Sequence, residues 1–167
     1  MWRFLLGFLV IQIVLFSVEL LEPVQEAVIL PWTSLLAQIS AGLVTPFDEH
    51  VVASGKVLRD SVNGFAVSIE PGCNGVEAMI VLASAVLAFP ASWLYRLKGL
   101  LYGLLGIQLL NLVRIISLFY LGQWNEAVFD WAHLYVWQAL IMLDALVLFL
   151  IWIRLMPRRH SAAVRAS

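Results

Sequence analysis

The chain has 167 residues, of which 62% are hydrophobic and 13% charged, with a mean hydropathy of +0.93 and a formal net charge of −1. A soluble domain carries roughly a quarter charged residues, so the composition excludes an ordinary soluble protein and indicates an integral membrane protein surrounded by lipid, while the near-neutral charge argues against nucleic acid as a partner. The length allows one domain, and the single cysteine, Cys73, excludes an intrachain disulfide and leaves a thiol that is free, intermolecular or inert.

In chain order, the expected fold is an all-α polytopic membrane protein with about four transmembrane helices, an interfacial helix and a small extracytoplasmic β-hairpin. Four runs, roughly 2–21, 75–95, 99–121 and 135–155, are long and apolar enough to cross about 30 Å of hydrocarbon. The first has too long an apolar part for a signal peptide and no clean small-residue cleavage site, so it reads as an uncleaved signal anchor. Residues 24–44 are apolar but interrupted by Pro31 and by Gln25, Glu26, Thr33, Ser34, Gln38 and Ser40, which reads as a helix lying in the outer interface or dipping into it. Between about 51 and 70 the pattern turns to short alternation. Asn63-Gly64 predicts a two-residue hairpin turn, pairing Val62 with Phe65, Asp60 with Val67 and Leu58 with Ile69. Residues 156–167 form a basic tail, and Gly99-x-x-x-Gly103 permits close helix packing within or between chains, leaving the oligomeric state open.

Basic residues set the expected orientation, since Lys and Arg are retained on the cytoplasmic side. With both termini inside, Arg3, Arg96, Lys98, Arg154, Arg158, Arg159 and Arg165 are cytoplasmic, against Lys56 and Arg59 outside.

The chemistry concentrates at the outer side. Cys73 lies in Pro71-Gly72-Cys73-Asn74-Gly75, ahead of a helix, where unsatisfied amides and the macrodipole favour a thiolate and could bind an oxyanion; the plainer reading is a small buried hydrophobe. Arg114 lies about 12 Å from the outer end of its span, in a polar stripe with Asn111 and Gln108. An arginine at that depth needs partners, catalytic or in a structural ion pair with Glu77 or Asp144. His133, in Asp130-Trp131-Ala132-His133-Leu134-Tyr135, suits a general acid or base, against the plain alternative of a solvated interfacial histidine. Glu77, one turn below Cys73, and Asp144, three turns below His133, are intramembrane carboxylates read as supporting groups, although Glu77 would oppose a thiolate unless Arg114 neutralised it. His50 and His160 are weaker candidates. One Cys and widely separated His residues call for no metal and no cofactor, and no Gly-x-Ser-x-Gly or His-Glu-x-x-His motif is present.

Three short motifs, Pro71-Gly72-Cys73-Asn74-Gly75-Val76-Glu77, Asn111-Leu112-Val113-Arg114 and His133 before the last span, occur in the order seen in the exosortase and archaeosortase family, which the chain resembles from about Val51 to Leu155, most closely in the short exosortase H subfamily. The resemblance implies a single exosortase-like integral membrane domain over 1–167 and a cysteine transpeptidase or endopeptidase of the inner membrane. Cys73 would be the nucleophile, His133 the acid or base and Arg114 the stabiliser of the oxyanion or thiolate, with Asn74, Gly75, Glu77, Asn111, Asp130 and Asp144 in support. It also implies partners: exported proteins ending in a recognition motif, a transmembrane helix and a basic cluster, cleaved at the outer face through a thioester. The competing reading is a non-enzymatic assembly factor or small transporter subunit in which the intramembrane charges form structural ion pairs and Cys73 is passive.

Overall fold

The computed structural model describes residues 2–156, so the basic tail from 157 onward, with Arg158, Arg159, Arg165 and His160, lies outside the described residues. The chain folds as helices α1 (Trp2–Glu19) and α2 (Glu22–Val44), strands β1 (Val51–Ser54), β2 (Val57–Asp60) and β3 (Ala66–Ser68), then helices α3 (Val76–Ala88), α4 (Trp93–Trp124) and α5 (Glu126–Arg154). Four of the helices, α1, α2, α4 and α5, are long and apolar enough to cross a membrane.

Helices α1, α3, α4 and α5 pack side by side. Gly7 meets Ala88 and Phe4 meets Phe89 edge to face, while Leu15 and Phe16 pack near Ile80, so α1 and α3 run antiparallel. Tyr95 stacks on Trp152, and Gly106 faces Leu148, so α4 and α5 are antiparallel as well. Gly99 sits against the Trp152 indole, and a Cβ on Gly103 would lie 2.5 Å from Leu82. The Gly99 and Gly103 pair thus brings helices of the same chain together, as small residues do in lipid, where close packing replaces the hydrophobic drive.

Two helices differ in length from the runs expected. The run at 75–95 holds a helix of only 13 residues, about 20 Å long, because Pro90 ends it and Ala91 and Ser92 lead into α4. The segment read as an interfacial helix is one continuous helix of 23 residues, long and apolar enough to span in spite of its proline. Pro31 cannot donate to Ala27 and would clash with its carbonyl; the preceding Gln25–Ile29 turn is widened to a π-type turn, with the Leu30 N–H reaching back to the Gln25 carbonyl. Its polar residues are absorbed locally, since the Thr33 and Ser34 hydroxyls donate to the carbonyls of Ile29 and Leu30 at 2.8 and 2.9 Å.

The hairpin is a three-stranded antiparallel meander in the order β1-β2-β3. Its register is Leu58↔Val67 and Val57↔Ser68, two residues from the expected pairing. The reason is Asp60, whose buried carboxylate accepts from the Val62 and Asn63 N–H groups at 2.8 and 3.2 Å and opens a four-residue loop, Ser61 to Gly64, in place of the tight turn. A shift of two preserves the face, so Leu58 still points inward. Val51, Leu58 and Ile69 join Leu36, Ala37, Ala41 and Val44 of α2 and Ile115 and Phe119 of α4 in one apolar cluster. That cluster fixes Ile69, and with it the chain entering Glu70 to Gly75.

Candidate active site

The turn between β3 and α3 is built by its own backbone and by α3. The Cys73 N–H donates to the Glu70 carbonyl at 2.9 Å, and the Gly72 N–H donates to Glu77 Oε1 at 2.6 Å. Gly72 and Gly75 have φ of 85° and 75°, in the left-handed region that favours glycine. A Cβ on Gly75 would lie 2.8 Å from Gln108 Nε2 and 3.3 Å from the Asn111 amide, so position 75 admits no side chain on steric grounds as well. Asn74 is fully buried. Its side-chain oxygen accepts from the Val76 N–H at 3.0 Å in an Asx turn just ahead of α3, and its backbone carbonyl accepts from Gln108 Nε2 at 3.3 Å.

Two long helices aim their polar groups at this turn. Arg114 of α4 is 1% exposed and lies about 15 Å below the end of its helix; it donates through Nη1 to the Gly72 carbonyl at 3.1 Å and through Nη2 to Cys73 Sγ at 3.5 Å. His133 of α5 sits in a second π-type turn, Ala132–Val136, and its Nε2 is 2.9 Å from Cys73 Sγ. Such turns insert an extra residue and re-aim the side chains that follow, which is why they recur at functional sites. Phe129 stacks on the imidazole at 5.5 Å between ring centres and holds its plane. Cys73, Arg114 and His133 wall a small cavity of about 40 Å³ with Val67, Ser68 and Phe129.

The electrostatics differ from the expectation drawn from the helix terminus. Burial pushes the Cys73 thiol above its ordinary value; Arg114 pulls it down, and Glu77 and Glu70 push it further up. Burial thus favours the neutral form of the thiol, whose sulfur lies 2.9 Å from the His133 imidazole. Glu70 itself is held below the usual carboxylate range by its hydrogen bonds to Lys56 and Ser68. Of the amides in the turn, those of Gly72 and Cys73 are engaged, and the Arg114 guanidinium is a donor that reaches the sulfur.

The supporting residues divide. Glu77, Asn74, Gly75 and Asn111 cluster around the turn, with Asn111 fully buried behind Gly75. The side chains of Asp130, one turn before His133, and of Asp144, far down α5, make neither a hydrogen bond nor an ion pair among the described residues. Arg114 likewise forms no ion pair among the described residues, with Glu77 or with Asp144. Sequence reasoning put Gln108 on the polar stripe of Arg114 without a role in the turn, and left Thr33 and Phe129 outside the site. Thr33 Oγ1 lies 3.4 Å from Asn74 Nδ2, and that contact became visible only once α2 was known to pass beside the turn. The position of Phe129, four residues before His133 on one helix, carried a signal that the sequence alone could have given.

A polytopic helical membrane protein with a cysteine, an imidazole and a guanidinium gathered at one end of its bundle is the class these features define. The family model of transmembrane exosortases matches residues 1–154, and the chain belongs to that family. No curated protein and no solved structure matches it.

Proposed function

We propose that the protein is a membrane-embedded cysteine transpeptidase or endopeptidase of the exosortase H type, built as a single catalytic membrane domain, that cleaves the C-terminal sorting signal of exported proteins. The observation that carries this reading is the 2.9 Å contact between Cys73 Sγ and His133 Nε2, inside a cavity that also holds the Arg114 guanidinium. In the proposed reaction His133 takes the thiol proton as the sulfur attacks the scissile carbonyl carbon. The developing oxyanion is met by Arg114, and the carbon–nitrogen bond breaks as His133 returns the proton to the leaving amine. The resulting thioester is then opened by water or by an acceptor amine.

Charge distribution supports an outer-face site in the inner membrane. Arg3, Arg96, Lys98 and Arg154 gather where α1 and α4 begin and α5 ends, away from Cys73, whereas only Lys56 and Arg59 lie on the sheet beside it. The reading as an assembly factor or transporter subunit required Arg114 to be spent on a carboxylate; the guanidinium instead contacts a carbonyl and the sulfur.

The test is processing of a co-expressed exported reporter fused to a C-terminal segment from the same genome that carries a short shared motif, an apolar helix and an Arg-rich tail. Cys73→Ser and Cys73→Ala are expected to insert normally and leave the reporter uncut. Normal processing by Cys73→Ala at wild-type expression would overturn the cysteine mechanism.

A further inference from the structure

The sheet beside the site has an unpaired edge. The order β1-β2-β3 leaves the outer side of β3 free, and against it lies a cleft of about 500 Å³, walled by Ala66, Val67 and Ser68 on one side and by Glu126, Phe129 and Asp130 of α5 on the other. Val67, Ser68 and Phe129 also wall the cavity that holds Cys73 and His133, so the cleft adjoins the sulfur.

The ladder shows which backbone groups face the cleft. The Asp60 N–H donates to the Phe65 carbonyl and the Ile69 N–H donates to the Lys56 carbonyl. Antiparallel pairs alternate between bonded and unbonded partners, so the intervening bonded pair is Leu58↔Val67, and Val67 spends its N–H and C=O on β2. Ala66 and Ser68 occupy the unbonded pairs, and their N–H and C=O groups point to the free edge. Both residues are exposed. The strand carries neither a charged residue nor a proline, two of the usual devices that close an edge.

We propose that an extended peptide, the part of the substrate flanking the scissile bond, adds to β3 as a fourth strand through the backbone groups of Ala66 and Ser68 and is thereby led to Cys73. This inference rests on the transpeptidase reading and narrows its substrate to chains that are extended at the cleavage site. The occupant follows from the chemistry of the cleft: alternating donors and acceptors along one wall fit another backbone and do not fit a helix or a lipid chain. The opposite wall carries the Glu126 and Asp130 carboxylates, which disfavour acidic side chains on the bound segment and favour neutral or basic ones.

Proline isolates the edge, because it removes an outward N–H without costing the sheet a bond, and edge strands tolerate it. In the full chain, Ala66→Pro is expected to lower reporter processing by about tenfold or more, with alkylation of Cys73 by a small neutral reagent kept within about twofold of wild type. A benzophenone amino acid at position 66, in a Cys73→Ala background, is expected to crosslink the reporter well above one placed at Val52, on β1. Where Ala66→Pro disturbs folding, seen as lost or altered alkylation, the crosslinking arm decides. Undiminished processing by a folded Ala66→Pro variant, or no capture at position 66 above that at Val52, would overturn the pairing. The two readings fail separately. Processing by Cys73→Ala removes the transpeptidase reading itself, whereas an inactive Cys73→Ala beside a fully active Ala66→Pro removes only the strand pairing.

Discussion

Arg114 is a buried cation whose partners are a carbonyl oxygen and a sulfur. Placing arginine at such depth costs on the order of 2.5 to 3.5 kcal/mol on insertion scales, and among the described residues no carboxylate pairs with it. Arg114→Lys keeps the charge but loses the planar fork that serves Gly72 and Cys73 together. Reporter processing is expected to fall by about a hundredfold, the scale seen when one oxyanion donor is removed, whereas a charge with only a structural role would tolerate lysine. Cys73 makes a second expectation at this scale. Its thiol is raised by burial, so alkylation is expected to be slow near neutral pH and to climb through the alkaline range; a plateau already reached near pH 6 would show a thiolate and imidazolium pair formed in advance. That Cys73, Arg114 and His133 would meet was legible in the sequence, because Cys73 is the single cysteine and Arg114 stands inside an otherwise apolar run. The direction of the thiol shift was not, because it depends on burial and on Glu77, and neither the depth of the turn nor the Glu77 contact to Gly72 can be read from spacing.

The decisive element is the turn from Glu70 to Gly75, and its geometry is fixed by glycines and by one carboxylate. Gly75→Ala would place a methyl against Gln108 and Asn111 while forcing a non-glycine residue to a φ of 75°. Left-handed backbone alone costs of order 1 to 3 kcal/mol, and a clear drop in the thermal midpoint of the purified protein is expected. Glu77→Gln retains an oxygen that can accept from the Gly72 N–H but removes a charge that raises the Cys73 thiol. Alkylation at a fixed pH below the thiol value is therefore expected to speed up, while Glu77→Ala, which loses the brace as well, is expected to impair processing. At this scale the sequence misled where local chemistry had two solutions. Asn63-Gly64 suggested a tight turn, and the Asp60 carboxylate offered a wider one. Pro31 suggested a break, and a π-type turn absorbed it. The strand at Val51–Ser54 was signalled by Gly55, whose φ of 57° lets a two-residue turn join it to β2, but alternation too short to count hid it.

Across the whole molecule, the family, the helical membrane architecture and the convergence at one end of the bundle were legible, because hydropathy and the order of three motifs survive errors in individual boundaries. The lengths of two helices were not, since α3 is shorter than the apolar run that holds it and α2 is long and apolar enough to span despite Pro31. The proposed outer-face orientation makes its own expectation. In a Cys73→Ala background, a cysteine at Asn63 should react with an impermeant thiol reagent in intact cells and one at Lys98 should not; the reverse pattern would invert the molecule in the membrane. The central claim is that Cys73 becomes acylated by its substrate with His133 taking the thiol proton. The most direct measurement is mass spectrometry of Cys73 peptides from protein isolated with the processed reporter. A hydroxylamine-sensitive adduct matching the reporter's new C-terminus, present on the wild-type chain and reduced by about a hundredfold or more in His133→Ala, is the predicted result. Efficient reporter cleavage with no such adduct, or cleavage that persists in Cys73→Ala, would contradict it.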